Sequence, residues 1–277
     1  MRVFFMLQED RDWALIEYGG QPDVVVVTGA GRGIGRAIAE DMALFAPVLC
    51  ISQSQGALET AAQIREGGGQ AEGMVLDLGD FAAAELRVGT WIRQSGFTRV
   101  GGVFAAATLG PLGPMATSDL SRWDETFRVN VLGNLAVARG LLTVQMAHGF
   151  GRLLFFAGGG AAYAYPEFPA YAASKAALVR IVENLHEDLK AAGDFATAIL
   201  APGAVETDML AAVRATGAEI RTTVAIEEPT AFAREFLLSQ RCDFSGRFVH
   251  VRDEWKRYLS GEKQTLDRDL WKLRRVE

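Results

Sequence analysis

Tyr171-Ala172-Ala173-Ser174-Lys175 sets a phenol and an ammonium four residues apart. On a helix that is one turn, so both groups stand on one face. A cation beside a phenol favours the phenolate and draws down a pKa that is about 10 in water. Such a tyrosine exchanges a proton with a carbonyl or an alcohol near neutral pH. The pair alone occurs by chance on half-exposed helices. What gives it chemical meaning lies far upstream.

Thr28-Gly29-Ala30-Gly31-Arg32-Gly33-Ile34-Gly35 follows the β-branched run Val24-Val25-Val26-Val27 and opens a helical pattern. Glycines there permit a tight turn and a close approach of backbone to a pyrophosphate. The helix N-terminus supplies N–H donors and partial positive charge for it.

These residues need a scaffold, and the rest of the chain reads as one. The valine run is what a strand buried on both faces requires. Residues 47–52, 71–76, 100–106, 152–157, 195–200 and 247–251 read as further strands. Between them residues 33–45, 57–66, 81–93, 118–148, 170–191 and 230–238 read as helices. Gly67-Gly68-Gly69 stops the second, and Ser118 caps the fourth. Sustained strand–helix alternation predicts an α/β fold: a single Rossmann-type doubly wound parallel sheet of about seven strands with helices on both faces. Residues 1–21 read as an N-terminal arm, 22–251 as the Rossmann domain with a substrate lid at 207–228, and 252–277 as a polar C-terminal tail. The tail, anchored by Trp255, Tyr258, Leu266, Trp271 and Leu273, is expected to pack on a neighbour or to be partly disordered.

Composition agrees. The 277 residues suit one large α/β domain, and 49% hydrophobic residues allow a sizeable core. A net charge of −6, with both signs interspersed, argues against a nucleic-acid partner. Cys50 and Cys242 make no disulfide framework and no zinc spacing, which points to a reducing compartment. His148, His186 and His250 form no motif, so no metal is expected. No run reaches the ~18 apolar residues of a membrane span. The short apolar start, Met1 to Leu7, is ended by Gln8-Glu9-Asp10-Arg11-Asp12, unlike a signal peptide. The expected location is the cytoplasm.

Thr28-Gly-x-x-x-Gly33-Ile34-Gly35 together with Tyr171-x-x-x-Lys175 resembles the short-chain dehydrogenase/reductase family. Asp77-Leu78 matches its adenine-contacting acidic segment, Asn130 the asparagine of its central helix, and Pro202-Gly203-Ala204-Val205-Glu206-Thr207 the segment that closes over nicotinamide. The resemblance covers about residues 22–255. It implies NAD or NADP, and hydride transfer between the nicotinamide and a small carbonyl or secondary alcohol. By the same resemblance Tyr171 is the general acid/base, Lys175 lowers its pKa and binds the nicotinamide ribose, and Asn130 holds a water that relays protons to the lysine. The cofactor is expected on Gly29, Arg32, Gly33, Ile34, Gly35, Ser52, Gln53, Asp77, Leu78, Ala105, Ala106, Tyr171, Lys175, Pro202, Gly203, Val205 and Thr207. The second strand ends in Ser52-Gln53-Ser54 and lacks the acidic residue that favours NAD. Arg32 stands where NADP-preferring members carry a basic residue. NADP is therefore the expected cofactor and NAD the alternative. Family members are usually dimers or tetramers, so a homodimer or homotetramer is expected, packed through residues 118–148 and 170–191.

Two stretches depart from the family. The catalytic serine lies about thirteen residues before the tyrosine, where this chain has Ala157-Gly158-Gly159-Gly160. Removing one donor of that kind costs about 10²–10³ in rate in other enzymes. The family's Asn-Asn-Ala-Gly is replaced by Ala105-Ala106-Ala107-Thr108, mainly a structural loss. Substitute donors are at hand in Thr108, Tyr163, Tyr165 and the N–H groups of Gly158 to Gly160. The alternatives to an oxidoreductase are a cofactor-binding subunit without turnover, or a non-redox dehydration or epimerisation.

Overall fold

The run Val24-Val25-Val26-Val27 is buried throughout because its side chains serve two cores in turn. Val25 and Val27 enter one, Val24 and Val26 the other, as the alternation of a strand requires. The computed structural model describes residues 3–5, 14–16, 20–220, 222–240, 242–259 and 266–273. Two short strands, β1 (Val3–Phe5) and β2 (Ala14–Ile16), lie in the stretch read as an arm and pair antiparallel with each other. The main sheet holds β3 (Val24–Thr28), β4 (Val48–Ser52), β5 (Ala71–Val75), β6 (Val100–Phe104), β7 (Phe150–Phe156), β8 (Asp194–Ala201) and β9 (Arg247–His250). Its order is β5-β4-β3-β6-β7-β8-β9, and all neighbours run parallel.

The helices are α1 (Gly33–Met42), α2 (Gly56–Glu66), α3 (Phe81–Ser95), α4 (Leu120–Phe127), α5 (Asn134–His148), α6 (Pro169–Leu189), α7 (Asp208–Ala215) and α8 (Glu227–Leu238). Ile38 of α1, Ala61 of α2 and Phe236 of α8 pack on one face of the sheet. Val88 of α3, Leu141 of α5 and Leu178 of α6 pack on the other. The fold is the doubly wound α/β architecture read from the sequence. After β3 the chain adds β4 on one side, and β6 then joins the other side. The loops leaving β3 and β6 diverge there, which opens a crevice at the carboxyl ends of the strands.

One long helix was expected over residues 118–148. Instead α4 and α5 are separated by a π turn, Arg128–Gly133. The extra residue in such a turn releases backbone carbonyls that need other donors. Asn134 supplies them: its Nδ2 donates to Asn130 O at 3.1 Å and Val129 O at 3.3 Å. At Gly133 the turn presses on the loop after β5, where a Cβ would stand 2.4 Å from Leu78 O. Helix α7 was not anticipated. It starts where the Thr207 hydroxyl accepts from Leu210 N at 3.4 Å.

The described part of the tail packs on its own sheet. Phe248 N donates to Trp271 O at 2.8 Å, and Arg247 Nη1 donates to Arg268 O and Leu270 O at 2.8 and 2.6 Å. Trp271 meets Phe244 and Tyr258 edge-on.

Candidate active site

The glycine-rich turn wraps the start of α1 in a way that only bare backbone allows. Gly29 and Gly33 take φ of +71° and +55°, a region that side chains disfavour. A Cβ on Gly35 would stand 2.4 Å from Gly29 O. Helix α1 begins without a side-chain cap and without an acidic residue in its first turn. Its first N–H groups are therefore left for an outside acceptor, and an anion is the natural one. These N–H groups open on a cavity of about 790 Å³. Gly29, Arg32, Gly33, Ile34, Gly35, Ser52, Gln53, Asp77, Leu78, Ala105, Ala106 and Thr207 line it. Asp77 is steadied by Gly79 N, which donates to its Oδ1 at 2.8 Å. Arg32 bridges the mouth to Asp208 at the start of α7, 3.2 Å away and exposed.

A second cavity, of about 1020 Å³, adjoins the first and shares Ile34, Ala105, Ala107, Thr207 and Met209 with it. Tyr171, Lys175, Pro202, Gly203 and Val205 line this one. The two thus lie side by side between the glycine-rich turn and the phenol. The residues present thus fit a nicotinamide dinucleotide: a bare anion cradle at one end, a phenol and an amine at the other. Among the described residues no group of His, Cys, Asp and Glu is placed to hold a metal ion. No helix among them is long and apolar enough to cross a membrane.

Tyr171 and Lys175 share a face of α6 as their spacing demands, with Lys175 Nζ 5.6 Å from the ring centre. The electrostatics differ from expectation. Lys175 is 1% exposed, and its Nζ donates to Phe156 O at 2.8 Å. Burial pushes its pKa down to about 7. Burial, with a smaller push from Tyr165, moves the Tyr171 phenol up to about 12. On the phenol, burial thus outweighs any pull from the lysine.

Asn130 lines neither cavity. It is fully buried, with Nδ2 donating to Thr108 O at 2.9 Å and Ser174 Oγ at 3.0 Å, and Oδ1 accepting from Thr108 N at 2.8 Å. Its side chain clamps the loop after β6. Asn134, one turn further on, was missed by the sequence reading. Its Oδ1 accepts from Thr28 Oγ1 at 2.8 Å and its Nδ2 donates to Ala106 O at 2.9 Å; Ala106 N donates to Thr28 Oγ1 at 3.2 Å. The latch across β3 and β6, expected to weaken with Ala105-Ala106 in place of asparagines, is made from the helix side instead. The only sequence signal for it was a second asparagine at helical spacing.

The substitute donors sort themselves. Thr108 lines neither cavity, whereas Tyr163, Tyr165 and Gly158 to Gly160 line the larger one. At Gly158, φ is −168°, open to any residue. A Cβ there would nevertheless lie 2.8 Å from Tyr171 Oη. The phenol fills the space that a serine side chain would need.

The depressed Lys175 makes a pH prediction for the free protein. Its folded pKa of about 7 lies below its ordinary 10.5, so between these values the unfolded chain binds more protons. Stability then rises with pH through that window. Tyr171, raised from 10.0 to about 12, opposes this only above about pH 10. Relative to Lys175→Met, the natural protein should gain at least about 3 °C in Tm from pH 7 to 9.5, roughly 1 kcal/mol in a domain of this size. Parallel melting curves would show that the amine stays charged in the fold.

Comparison with known proteins agrees with this geometry. Residues 23–218 match the short chain dehydrogenase family. A short chain dehydrogenase of Pseudocercospora fijiensis is 31% identical over 68% of this chain and 62% of its own length. The 1-deoxy-11-beta-hydroxypentalenate dehydrogenase of Streptomyces exfoliatus is 29% identical over 91% of this chain and 94% of its own. Among solved structures, a candidate NAD(P) dependent gluconate 5-dehydrogenase from Beutenbergia cavernae with bound NADP superposes with a TM-score of 0.77 and 30% identity. That match covers 84% of this chain and 96% of that one. With well over half of its length inside the family match, the chain belongs to the short chain dehydrogenase family.

Proposed function

We propose that this protein is an NADPH-dependent reductase that turns a carbonyl compound into a secondary alcohol, with Tyr171 as the proton donor. The observation that carries the reading is a buried phenol beside a buried amine on the wall of a cavity that adjoins a bare-backbone anion cradle. When bound, the nicotinamide supplies the hydride. Gly29, Gly33 and Gly35 hold the pyrophosphate against the start of α1. Ala105, Ala106, Asp77 and Leu78 wall the adenosine side, and Pro202, Gly203, Val205 and Thr207 the nicotinamide side. Tyr171 Oη gives its proton to the carbonyl oxygen as negative charge develops there. Lys175, with a pKa of about 7, is suited to pass a replacement proton. Asn130 acts by holding the loop that faces the phenol. The test is loss of NADPH absorbance with a panel of ketones; none consumed by a folded, NADPH-binding protein would point to a cofactor-binding subunit.

NADPH is preferred to NADH in this reading because no carboxylate closes the end of β4, where Ser52, Gln53 and Ser54 stand. Arg32 is then the reader of the 2′-phosphate, in competition with Asp208. Arg32→Ala is expected to raise the Kd for NADPH about 10- to 100-fold, the range of a charged hydrogen bond. NADH should change by a few-fold at most. Equal losses by calorimetry would take Arg32 out of this role.

A homodimer or homotetramer belongs to the same proposal. Light scattering at micromolar concentration reads it directly, and a monomer is the contrary result.

A further inference from the structure

We propose that the substrate is a bulky, uncharged, apolar ketone and that Gly159 sets how much of it the site can take; this rests on the reductase reading above. The cavity beside Tyr171 encloses about 1020 Å³, at the top of the range of about 300–1,000 Å³ that holds drug-sized ligands. A nicotinamide ring beside Lys175 and Pro202 takes one end. The other end is walled by Ala107, Leu109, Tyr165, Met209, Val213 and Ile220, which belong to one apolar cluster with Tyr171. That is far more room than a small carbonyl fills.

Among the described lining residues the ionisable side chains besides the tyrosines are Lys175, Glu219 and His250. Lys175 is buried at the base and bonded to Phe156 O, and Glu219 is exposed at the rim. On the lid helix, Arg214 is held by both oxygens of Glu206. Among the described residues no lining arginine or second lysine is placed for a phosphate or carboxylate. Burying such a group unpaired is costly.

The three glycines are not equivalent. A Cβ on Gly158 would meet Tyr171 Oη at 2.8 Å, and one on Gly160 would meet Ala172 Cβ at 2.8 Å. Those two let the turn lie against α6. A Cβ on Gly159 would meet nothing within 4 Å, and its φ is not in the left-handed region. Packing therefore does not demand a glycine there. Gly159 is exposed and lines the larger cavity, so a side chain there would extend into open space at its wall. In the reaction the carbonyl carbon accepts hydride from NADPH, the C=O electron pair moves to oxygen, and that oxygen takes the Tyr171 proton. The ketone is reduced to an alcohol and NADPH is oxidised to NADP⁺.

The test uses the whole chain with NADPH and three ketones: trans-1-decalone, acetone and acetoacetate. The kcat/KM for decalone should exceed both others by at least about 100-fold. Gly159→Leu should cut the decalone-to-acetone ratio about 10-fold or more, and Gly159→Ala by less. The alanine variant serves if the leucine variant fails to fold by circular dichroism. Calorimetry of decalone binding gives a readout apart from turnover. Decalone bound with no ketone reduced supports this substrate class and overturns the reductase reading. Acetone or acetoacetate preferred overturns the substrate class and leaves the reductase standing. No decalone binding overturns it too, and a decalone preference that both Gly159 variants leave intact removes Gly159 from the proposal.

Discussion

Tyr171→Phe is expected to lower kcat about 10²–10⁴-fold, the range lost when a positioned general acid is removed. The change deletes one oxygen and keeps the ring that packs with Phe168 and Val213. Folding and NADPH binding are therefore the controls, read by circular dichroism and calorimetry. The size of the loss follows from the surroundings of the phenol. Tyr163 and Tyr165 line the same cavity, but neither is paired with a buried amine on its own helix face as Tyr171 is. Turnover that survives the substitution would move the chemistry to another group and overturn the catalytic assignment.

Gly158→Ser is expected to lower turnover by about 100-fold rather than raise it. By family resemblance a serine there restores a hydrogen-bond donor for the substrate oxygen, and a decayed reductase would improve. Here the serine Cβ would lie 2.8 Å from Tyr171 Oη and 3.2 Å from Cε1. The phenol has to withdraw, and displacement of a reacting group by about 1 Å costs on the order of 10² in rate. A double variant separates the two accounts. If the serine acts by moving the phenol, Gly158→Ser adds little to Tyr171→Phe, since coupled sites are not additive. An increase in kcat/KM on any ketone would show that the glycine is a loss and not an adaptation.

The central strands were legible because each carries its own burial. Val24 to Val27 and Leu153 to Phe156 are apolar runs whose meaning depends little on distant residues. The cradle was legible for a similar reason, since positive φ at Gly29 and Gly33 is a local demand. What stayed hidden depends on partners far along the chain. The π turn inside residues 118–148 exists because Asn130 and Asn134 reach Thr108, Ala106 and Thr28. The state of the Tyr171–Lys175 pair could not be read from spacing. Spacing sets how near the two groups are, but burial, set by the whole fold, decides that both are held toward their neutral forms. The substrate cavity draws on loops after β6, β7 and β8, whose closure no single stretch encodes.

The tail that lies along β9 settles a matter of self-recognition. The outermost strand of a parallel sheet offers a row of unused backbone donors and acceptors, which is a template for another chain's strand. In this protein Trp271 O accepts a hydrogen bond from Phe248 N, and the Arg247 guanidinium reaches across to two further tail carbonyls. Arg180 of α6 grips Leu273 O at 2.9 Å from the next layer. The β9 edge of the sheet is thus met by residues 268–273 of the same chain, and a strand arriving at that border finds these bonds already made.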